Sequence, residues 1–142
     1  MYTVADVLRT KGRAVHTIDP EASALEAAQR MNERRIGSLL VVRAGRIMGI
    51  VSERDVMTRL VARERSPATT TVEQIMTPDV YVASPHTLLA DLREVMHARR
   101  IRHVPVLDQG EIAGLVSLGD LNVANIRVLT QTIGFLEGYI AG

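Results

Sequence analysis

The feature that most constrains the fold of this chain is an internal repeat. The stretch Gly49-Ile50-Val51-Ser52-Glu53-Arg54-Asp55 returns 65 positions later as Gly114-Leu115-Val116-Ser117-Leu118-Gly119-Asp120. Upstream, Arg34-Arg35-Ile36 falls on Arg99-Arg100-Ile101 at the same spacing and without a gap. Self-similarity at a fixed spacing is the signature of a fold built from equivalent units. The chain is therefore expected to fold as two similar halves.

The N-terminal part of each copy follows a different spacing. Residues 3–8 match residues 71–76 at a shift of 68 positions instead of 65. The first copy therefore carries three extra residues, which we place in a loop around Lys11-Gly12-Arg13.

Each copy is predicted to contain helix, strand, helix, strand, strand and helix in that order, which makes the fold class α+β. The predictions rest on apolar periodicity and on turn residues such as the prolines that follow the first strands. The first copy is predicted to hold a helical turn at 4–10, a strand at 15–18, a helix at 23–35, a hairpin of 38–42 and 47–51, and a helix from Ser52. The second copy is predicted to hold a turn at 72–76, a strand at 80–83, a helix at 87–100 with Thr87 as N-cap, a hairpin of 103–107 and 112–116, and a helix from Ser117.

The copies define three predicted segments: a first repeat over 1–66, a second over 67–128, and a helical tail over 129–142. A half of about 60 residues is marginal on its own. We therefore expect the halves to pack sheet to sheet about a pseudo-twofold axis, with both Ser-x-x-Asp helix starts beside one cleft. In the tail, apolar residues recur at spacings of three and four, which predicts a seam along one helix face. The seam either packs on the body of the protein or contacts a second subunit. Its members are Ile126, Leu129, Ile133, Leu136 and Ile140.

The repeated Ser-x-x-Asp pattern has two interpretations. Serine at an N-cap with an acidic residue three positions on is an ordinary capping box. The same geometry also suits a nucleotide, because a helix start attracts phosphate and a carboxylate accepts hydrogen bonds from ribose hydroxyls. Its occurrence at the same junction in both copies favours the second interpretation.

Composition argues against several classes of function. Seventeen basic and sixteen acidic residues give a net charge of +1, and aromatic residues make up only 3% of the chain. Neither value favours a nucleic-acid surface. The sequence contains no cysteine, which excludes disulfides and thiol catalysis. The longest run without charge is eleven residues, so no membrane span is expected, and the default prediction is a cytoplasmic protein.

Taken together, these motifs resemble a tandem pair of CBS (cystathionine-β-synthase) domains, known as a Bateman module. The resemblance covers residues 1–127 and rests on the duplicated Gly-x-Val-Ser-x-x-Asp pattern, on Met76-Thr77-Pro78, and on Ile101-Arg102-His103-Val104-Pro105-Val106. Stand-alone bacterial CBS pairs are similar. The resemblance implies a regulatory protein that is not an enzyme and has no catalytic cofactor or metal.

The ligand implied by this resemblance is an adenosine-containing nucleotide: AMP, ADP, ATP, S-adenosylmethionine or NAD(H). Asp55 and Asp120 would bind ribose, and Ser52 and Ser117 would bind phosphate or ribose. The other implied contacts line the base pockets or face the phosphates; they are Thr17, Ser38, Arg54, Val82, Arg102, His103 and Pro105. Because the copies differ at several of these positions, equal occupancy of the two sites is not expected: either the sites prefer different ligands or one dinucleotide spans both. The resemblance also implies a homodimer and a regulated partner protein that the sequence does not identify.

Two alternatives compete with this interpretation. One is a small nucleotide hydrolase in which Asp55 or Asp120 holds a metal, although no nucleophile and base can be named for it. The other is a nucleic-acid-binding protein that uses the arginine pairs at 34–35 and 99–100. The simpler role of those arginines is to offset the dipole at a helix C-terminus.

Overall fold

The computed structural model describes residues 2–141 and confirms a mixed fold of helices and strands with one long helix at its C-terminal end. The first part contains helix α1 (Val4–Lys11), strand β1 (Thr17–Ile18), helix α2 (Ala24–Arg34), strands β2 (Ser38–Arg43) and β3 (Arg46–Ser52), helix α3 (Glu53–Asp55), a π-helix (Val56–Val61) and helix α4 (Val72–Ile75). The second part contains helix α5 (Leu89–Arg99), strands β4 (His103–Asp108) and β5 (Glu111–Ser117), and helix α6 (Leu118–Ala141).

The first compact unit runs from Ala14 to Val82. Its sheet has the order β1-β2-β3, with β1 parallel to β2 and β2 antiparallel to β3. The apolar core lies between this sheet and helices α2 and α4, and includes Met31, Leu39, Leu60 and Ile75, each at most 5% exposed. Burial of such side chains is the main force that stabilises a unit of this size.

The second compact unit consists of the chain up to Arg13 together with the chain from Ala83 onward. Helix α1 contacts β5 and α6, while α4 contacts β3 of the first unit. Backbone hydrogen bonds fix α1 in this position, because the Val4 amide donates to the Thr87 carbonyl and the Ala5 amide to the Pro85 carbonyl. The compact units therefore exchange their opening helices with respect to the sequence repeats. The predicted repeat boundaries remain a prediction about sequence and do not coincide with these units.

Both hairpins turn through two residues with positive φ. The pairs are Ala44 (51°) with Gly45 (76°), and Gln109 (52°) with Gly110 (82°). Two consecutive residues of this kind form the turn that matches the twist of antiparallel strands. The prediction that glycine supplies a positive φ here is confirmed, but the loops are two residues shorter than expected because the strands continue into them.

Two predicted details of the second copy are wrong. The strand predicted at Val80–Ala83 is reduced to a single parallel bridge between Ala83 and Val106. Pro105 stands where the first copy has Leu40, and proline has no N–H to extend a ladder. The predicted N-cap is also wrong: α5 starts at Leu89 with Leu88 at the N-cap, while the Thr87 hydroxyl accepts a hydrogen bond from the Ser84 amide.

Helix α6 runs without a break through the junction at which a separate tail was predicted. Its apolar seam faces solvent, since the exposed fractions are 61% for Ile126, 54% for Leu129, 56% for Ile133 and 51% for Leu136. The interpretation that this seam packs on the body of the protein is therefore wrong. No helix in residues 2–141 is both long enough and apolar enough to cross a bilayer.

Candidate functional site

Two equivalent corners, where a strand passes into a helix, hold the repeated Ser-x-x-Asp motif. In the first corner, Ser52 to Asp55, the Asp55 amide donates to the Ser52 hydroxyl at 3.2 Å, and the Ser52 amide donates to Asp55 Oδ2 at 2.9 Å. These reciprocal bonds form a capping box, which satisfies orphan groups at the helix start. The structural interpretation of the motif is thus satisfied, and a ligand would have to use what remains of the carboxylate.

Little of the hydrogen-bonding capacity of the Asp55 carboxylate is available to a ligand. Asp55 is only 7% exposed, and the Thr77 hydroxyl donates to its Oδ1 at 3.2 Å. The Arg59 Nε lies 3.9 Å from the same oxygen, while Arg59 Nη1 donates to the Met76 carbonyl at 2.6 Å. Both oxygens of Asp55 are therefore engaged by groups of the first unit.

The second corner, Ser117 to Asp120, has the same cap and a more open carboxylate. The Asp120 amide donates to the Ser117 hydroxyl at 3.1 Å, and the Ser117 amide donates to Asp120 Oδ2 at 2.7 Å. The Asp120 side chain is 24% exposed. Helix α6 is long enough to present a full dipole at this point.

A lysine from α1 occupies the second corner as well. Lys11 Nζ donates to Asp120 Oδ2 and to the Leu115 carbonyl, each at 2.6 Å. Burial by itself would raise the pKa of Asp120. The hydrogen bond from Lys11, the backbone hydrogen bond from Ser117 and the charge of Lys11 outweigh that effect and lower the pKa below 3.8. Asp120 is therefore held as a carboxylate at neutral pH.

The backbone amides that were expected to bind phosphate are largely occupied. In the first corner the Glu53 amide donates to the Gly37 carbonyl, and in the second the Leu118 amide donates to the Arg102 carbonyl. The amide of each motif aspartate already donates to its serine. A phosphate near either corner would consequently depend on cationic side chains, because two of the first three amides of each helix are not free.

The strand pairing places several other predicted residues beside the corners. In the β2–β3 register Ser38 lies opposite Ser52, and in the β4–β5 register His103 lies opposite Ser117. Pro105 is buried two positions along β4, opposite Leu115. The structure thus brings Ser38, Ser52 and Asp55 together in one unit, and His103, Ser117 and Asp120 in the other.

For three predicted residues, no described contact within their own unit places the side chain at a Ser-x-x-Asp corner. Thr17 is exposed, and its carbonyl accepts a hydrogen bond from Arg30. Arg54 is exposed on the first turn after Ser52, and Val82 is half-buried at the end of its unit. Their roles as ligand contacts remain predictions.

A hollow of about 440 Å³ in the first unit is lined in part by Glu53 and Val56, which are sequence neighbours of the motif serine and aspartate. It is also lined by residues of α2 and of the segment that follows it, among them Met31, Asn32 and Arg35. Neither Ser52 nor Asp55 lines it. Its size suits a small molecule, but its lining does not match the predicted site.

The motif-based prediction missed Lys11, Thr77 and Arg59. Lys11 and Thr77 lie outside the Gly-x-Val-Ser-x-x-Asp motif: Lys11 is among the three extra residues of the first copy, and Thr77 directly follows the matched segment 71–76. That change of spacing was the available signal, because it showed that the first copy has an extra segment at Lys11. Among the described residues no group of three or more histidine, aspartate or glutamate side chains is placed to hold a metal ion.

Comparison with known proteins gives the family. The CBS-domain family model matches residues 4–62 and again residues 72–124. The chain belongs to the CBS-domain family. The CBS domain-containing protein YhcV from Bacillus subtilis is 32% identical over 123 residues, which cover 87% of this chain and 85% of YhcV.

Solved CBS structures agree with the fold. A protein with CBS domains from Burkholderia ambifaria superposes with a TM-score of 0.86 at 40% identity, covering 89% of this chain and 95% of its own. The CBS-domain containing protein ATU1752 from Agrobacterium tumefaciens gives a TM-score of 0.83 at 34% identity, covering 87% and 99%. The predicted family and fold class, two CBS repeats with a C-terminal helix, are confirmed. CBS-pair proteins are generally regulatory, nucleotide-sensing modules, and they often form oligomers.

Proposed function

We propose that this CBS protein is a non-catalytic regulatory module that binds an adenosine-containing nucleotide such as AMP, ATP or NAD(H). The observation that supports this most strongly is the Asp120 carboxylate. It is ionised, partly exposed, and accepts both of its described hydrogen bonds on Oδ2. Within the described residues, Oδ1 is left for another donor, and a ribose hydroxyl is a suitable one.

The two corners are not equally suited to bind a nucleotide. Asp55 already has donors on both oxygens and is almost fully buried, so a ribose there would have to displace the Thr77 hydroxyl. Asp120 can accept a hydroxyl without losing an existing bond. We therefore place the stronger nucleotide site at the second corner. A cytoplasmic location and a regulated partner protein are part of the proposal, and the absence of cysteine is compatible with a reducing compartment.

Calorimetry on the full chain tests the proposal. Titration with AMP, ATP, NAD⁺, NADH and S-adenosylmethionine is expected to show saturable binding of at least one of them with a Kd below about 1 mM. GMP is the matched control, since it carries the same ribose and phosphate and only its base differs. Absence of heat with every adenine compound at millimolar concentration would contradict the proposal, and steady hydrolysis of ATP in the presence of magnesium would replace it with the enzyme alternative.

We also propose that the protein is a homodimer to which the seam of α6 contributes. The seam residues recur at spacings of three and four, which is the pattern of helices that pack side by side. The described seam positions 126, 129, 133, 136 and 140 are all isoleucine or leucine, and all are more than half exposed. A second copy offers an identical apolar seam with no opposing charge, and pairing would remove this surface from water.

Substitution at the centre of the seam tests the dimer. Ile133→Glu is expected to convert the dimer to a monomer at micromolar concentration, because pairing would bring two carboxylates into an apolar contact. Gln131→Glu is the control, since it adds the same charge on the opposite face of α6, where the Tyr2 hydroxyl contacts residue 131. Light scattering distinguishes the outcomes. A wild-type monomer at these concentrations, or an Ile133→Glu dimer, would exclude the seam as the interface.

A further inference from the structure

Lys11 stands out among the cations of this protein. It is the single lysine among the seventeen basic residues; the other sixteen are arginines. It is the last residue of α1, and Gly12 ends that helix with a φ of 95°. The extra residues of the first repeat thus place an ammonium group against the carboxylate that the proposed function assigns to ribose.

The geometry leaves binding capacity on both partners. An ammonium group has three N–H donors. Lys11 uses two of them, on the Leu115 carbonyl and on Asp120 Oδ2. Asp120 accepts from Lys11 and Ser117 on the same oxygen. Within the described contacts, one N–H of Lys11 and the Oδ1 of Asp120 remain, and the two side chains are 34% and 24% exposed. A neighbouring hydroxyl and anionic oxygen, as in a nucleotide, would complement this pair.

Charge gives Lys11 a further effect on selectivity. The Leu118 and Asp120 amides are already bonded, so the start of α6 cannot offset a phosphate through them. The Asp120 carboxylate alone would repel a phosphate, and only a nearby cation can offset that repulsion in a partly buried site. Lys11 is the cation that the structure holds at hydrogen-bond distance from Asp120. An uncharged nucleoside would not need it.

The first corner lacks an equivalent. There the neutral Thr77 hydroxyl contacts Asp55, and the nearest cation is Arg59, whose guanidinium also donates to the Met76 carbonyl. The Arg59 Nε lies 3.9 Å from Asp55, compared with 2.6 Å between Lys11 and Asp120. A cation held at hydrogen-bond distance and partly open to solvent is therefore a feature of the second corner.

We propose that Lys11 is the specificity-determining residue of the second corner, where it selects a phosphorylated nucleoside over the bare nucleoside. This inference rests on the proposed nucleotide-binding function. It assigns the choice of ligand to a residue outside the repeated motif, and it distinguishes the second corner from the first.

The experiment compares AMP with adenosine by calorimetry on the full chain. Lys11→Met is expected to weaken AMP binding about tenfold or more and to change adenosine binding less than about threefold. Arg9→Met is the control for net charge, because Arg9 lies on the same helix, is exposed and pairs with Asp6. It is expected to change neither affinity. Lys11→Arg keeps the charge and is expected to restore most of the preference for AMP.

A second measurement reports on the second corner alone and does not depend on a variant that might fold poorly. Incorporation of lysine enriched in ¹³C at Cε labels Lys11 alone, because it is the single lysine of the sequence, and leaves all three N–H donors of its ammonium group intact. The Lys11 Cε resonance is expected to move on addition of AMP and to move much less with adenosine.

The outcomes separate the two proposals. If wild-type protein binds neither AMP nor adenosine, the assignment of a nucleotide site to the second corner fails and this inference fails with it. If wild-type protein binds AMP but Lys11→Met loses both ligands equally, loses neither, or binds AMP more tightly, only the role of Lys11 is overturned. A Lys11 Cε resonance that stays unmoved at AMP saturation overturns that role as well.

Discussion

Gly49→Ala is expected to lower the free energy of unfolding by about 2–3 kcal/mol, while Gly114→Ala should lower it by less than about 1 kcal/mol. The two glycines are equivalent positions of the repeat, on β3 and β5. A Cβ atom at Gly49 would lie 2.6 Å from the Thr77 carbonyl oxygen and 2.8 Å from Met76 Sδ. A Cβ atom at Gly114 would lie 2.6 Å from Leu8 Cδ2. The first obstacle is backbone, and the second is the tip of a flexible side chain.

The cost at Gly49 is large because the obstructing carbonyl is itself bonded. The Ile50 amide donates to the Thr77 carbonyl, and the Thr77 amide donates to the Ile50 carbonyl. Moving Thr77 away from a new methyl group would stretch both bonds in a buried region. It would also disturb the Thr77 hydroxyl bond to Asp55. At Gly114 the obstacle is a methyl group of the buried Leu8 side chain, which can shift without breaking a hydrogen bond.

Urea unfolding of both variants checks this prediction, and Gly114→Ala serves as the matched control for any general effect of alanine in a strand. Equal losses of stability in the two variants would contradict it. So would a Gly49→Ala variant as stable as the wild type, since the close approach of the 76–77 segment to β3 would then have no energetic consequence.

The sequence predicted most of the elements, because the repeat supplied two versions of each one; the strand predicted at 80–83 is the exception. Val51 and Val116, for example, were assigned to equivalent strands, and both are fully buried in the strands β3 and β5. What the repeat could not predict is which sheet each opening helix joins. Periodicity identifies the apolar face of a short helix, but either sheet could cover that face. The exchange of α1 and α4 between units is decided by tertiary contacts such as that of Leu8 with Gly114.

The candidate site was predictable to a similar extent. The caps at Ser52 and Ser117 follow from local sequence, because a capping box spans only four residues. The engagement of Asp55 by Thr77 and of Asp120 by Lys11 joins residues 22 and 109 positions apart. No local pattern encodes such contacts. The sequence predicted that the two sites differ, because the copies differ at several positions, but it could not predict that one carboxylate is closed and the other partly open.

Asp120→Ala is expected to weaken AMP binding about thirtyfold or more while lowering the free energy of unfolding by only about 0.5–2 kcal/mol. The loss of stability stays small because the carboxylate and Lys11 are partly exposed, so water can replace the carboxylate at Lys11 and at the Ser117 amide, while the Ser117 hydroxyl still accepts from the residue 120 amide. The loss of affinity is larger because hydrogen bonds to a charged acceptor are each worth about 1.5–3 kcal/mol. The measurements are calorimetry with AMP and urea unfolding of the same preparation.

Asp55→Ala is the matched comparison, and it should lower the free energy of unfolding more, and the affinity for AMP less, than Asp120→Ala does. The Asp55 carboxylate is buried and accepts from the Ser52 amide, the Ser52 hydroxyl and the Thr77 hydroxyl, so its removal leaves three donors without this partner. We expect a loss of about 2–4 kcal/mol in stability. The effect on AMP binding to the folded protein should be smaller than that of Asp120→Ala.

The pH dependence distinguishes a stabilising carboxylate from a merely polar one. Because the folded-state pKa of Asp120 lies below its ordinary value of 3.8, its contribution to stability is complete above that value and is lost as the pH falls through the lowered pKa. The difference in stability between the wild type and Asp120→Asn should therefore be constant near neutral pH and shrink below pH 3.8.

If Asp120→Ala instead unfolds the protein while its folded fraction binds AMP as tightly as the wild type, Asp120 is only a helix cap. The nucleotide must then be sought away from the second corner.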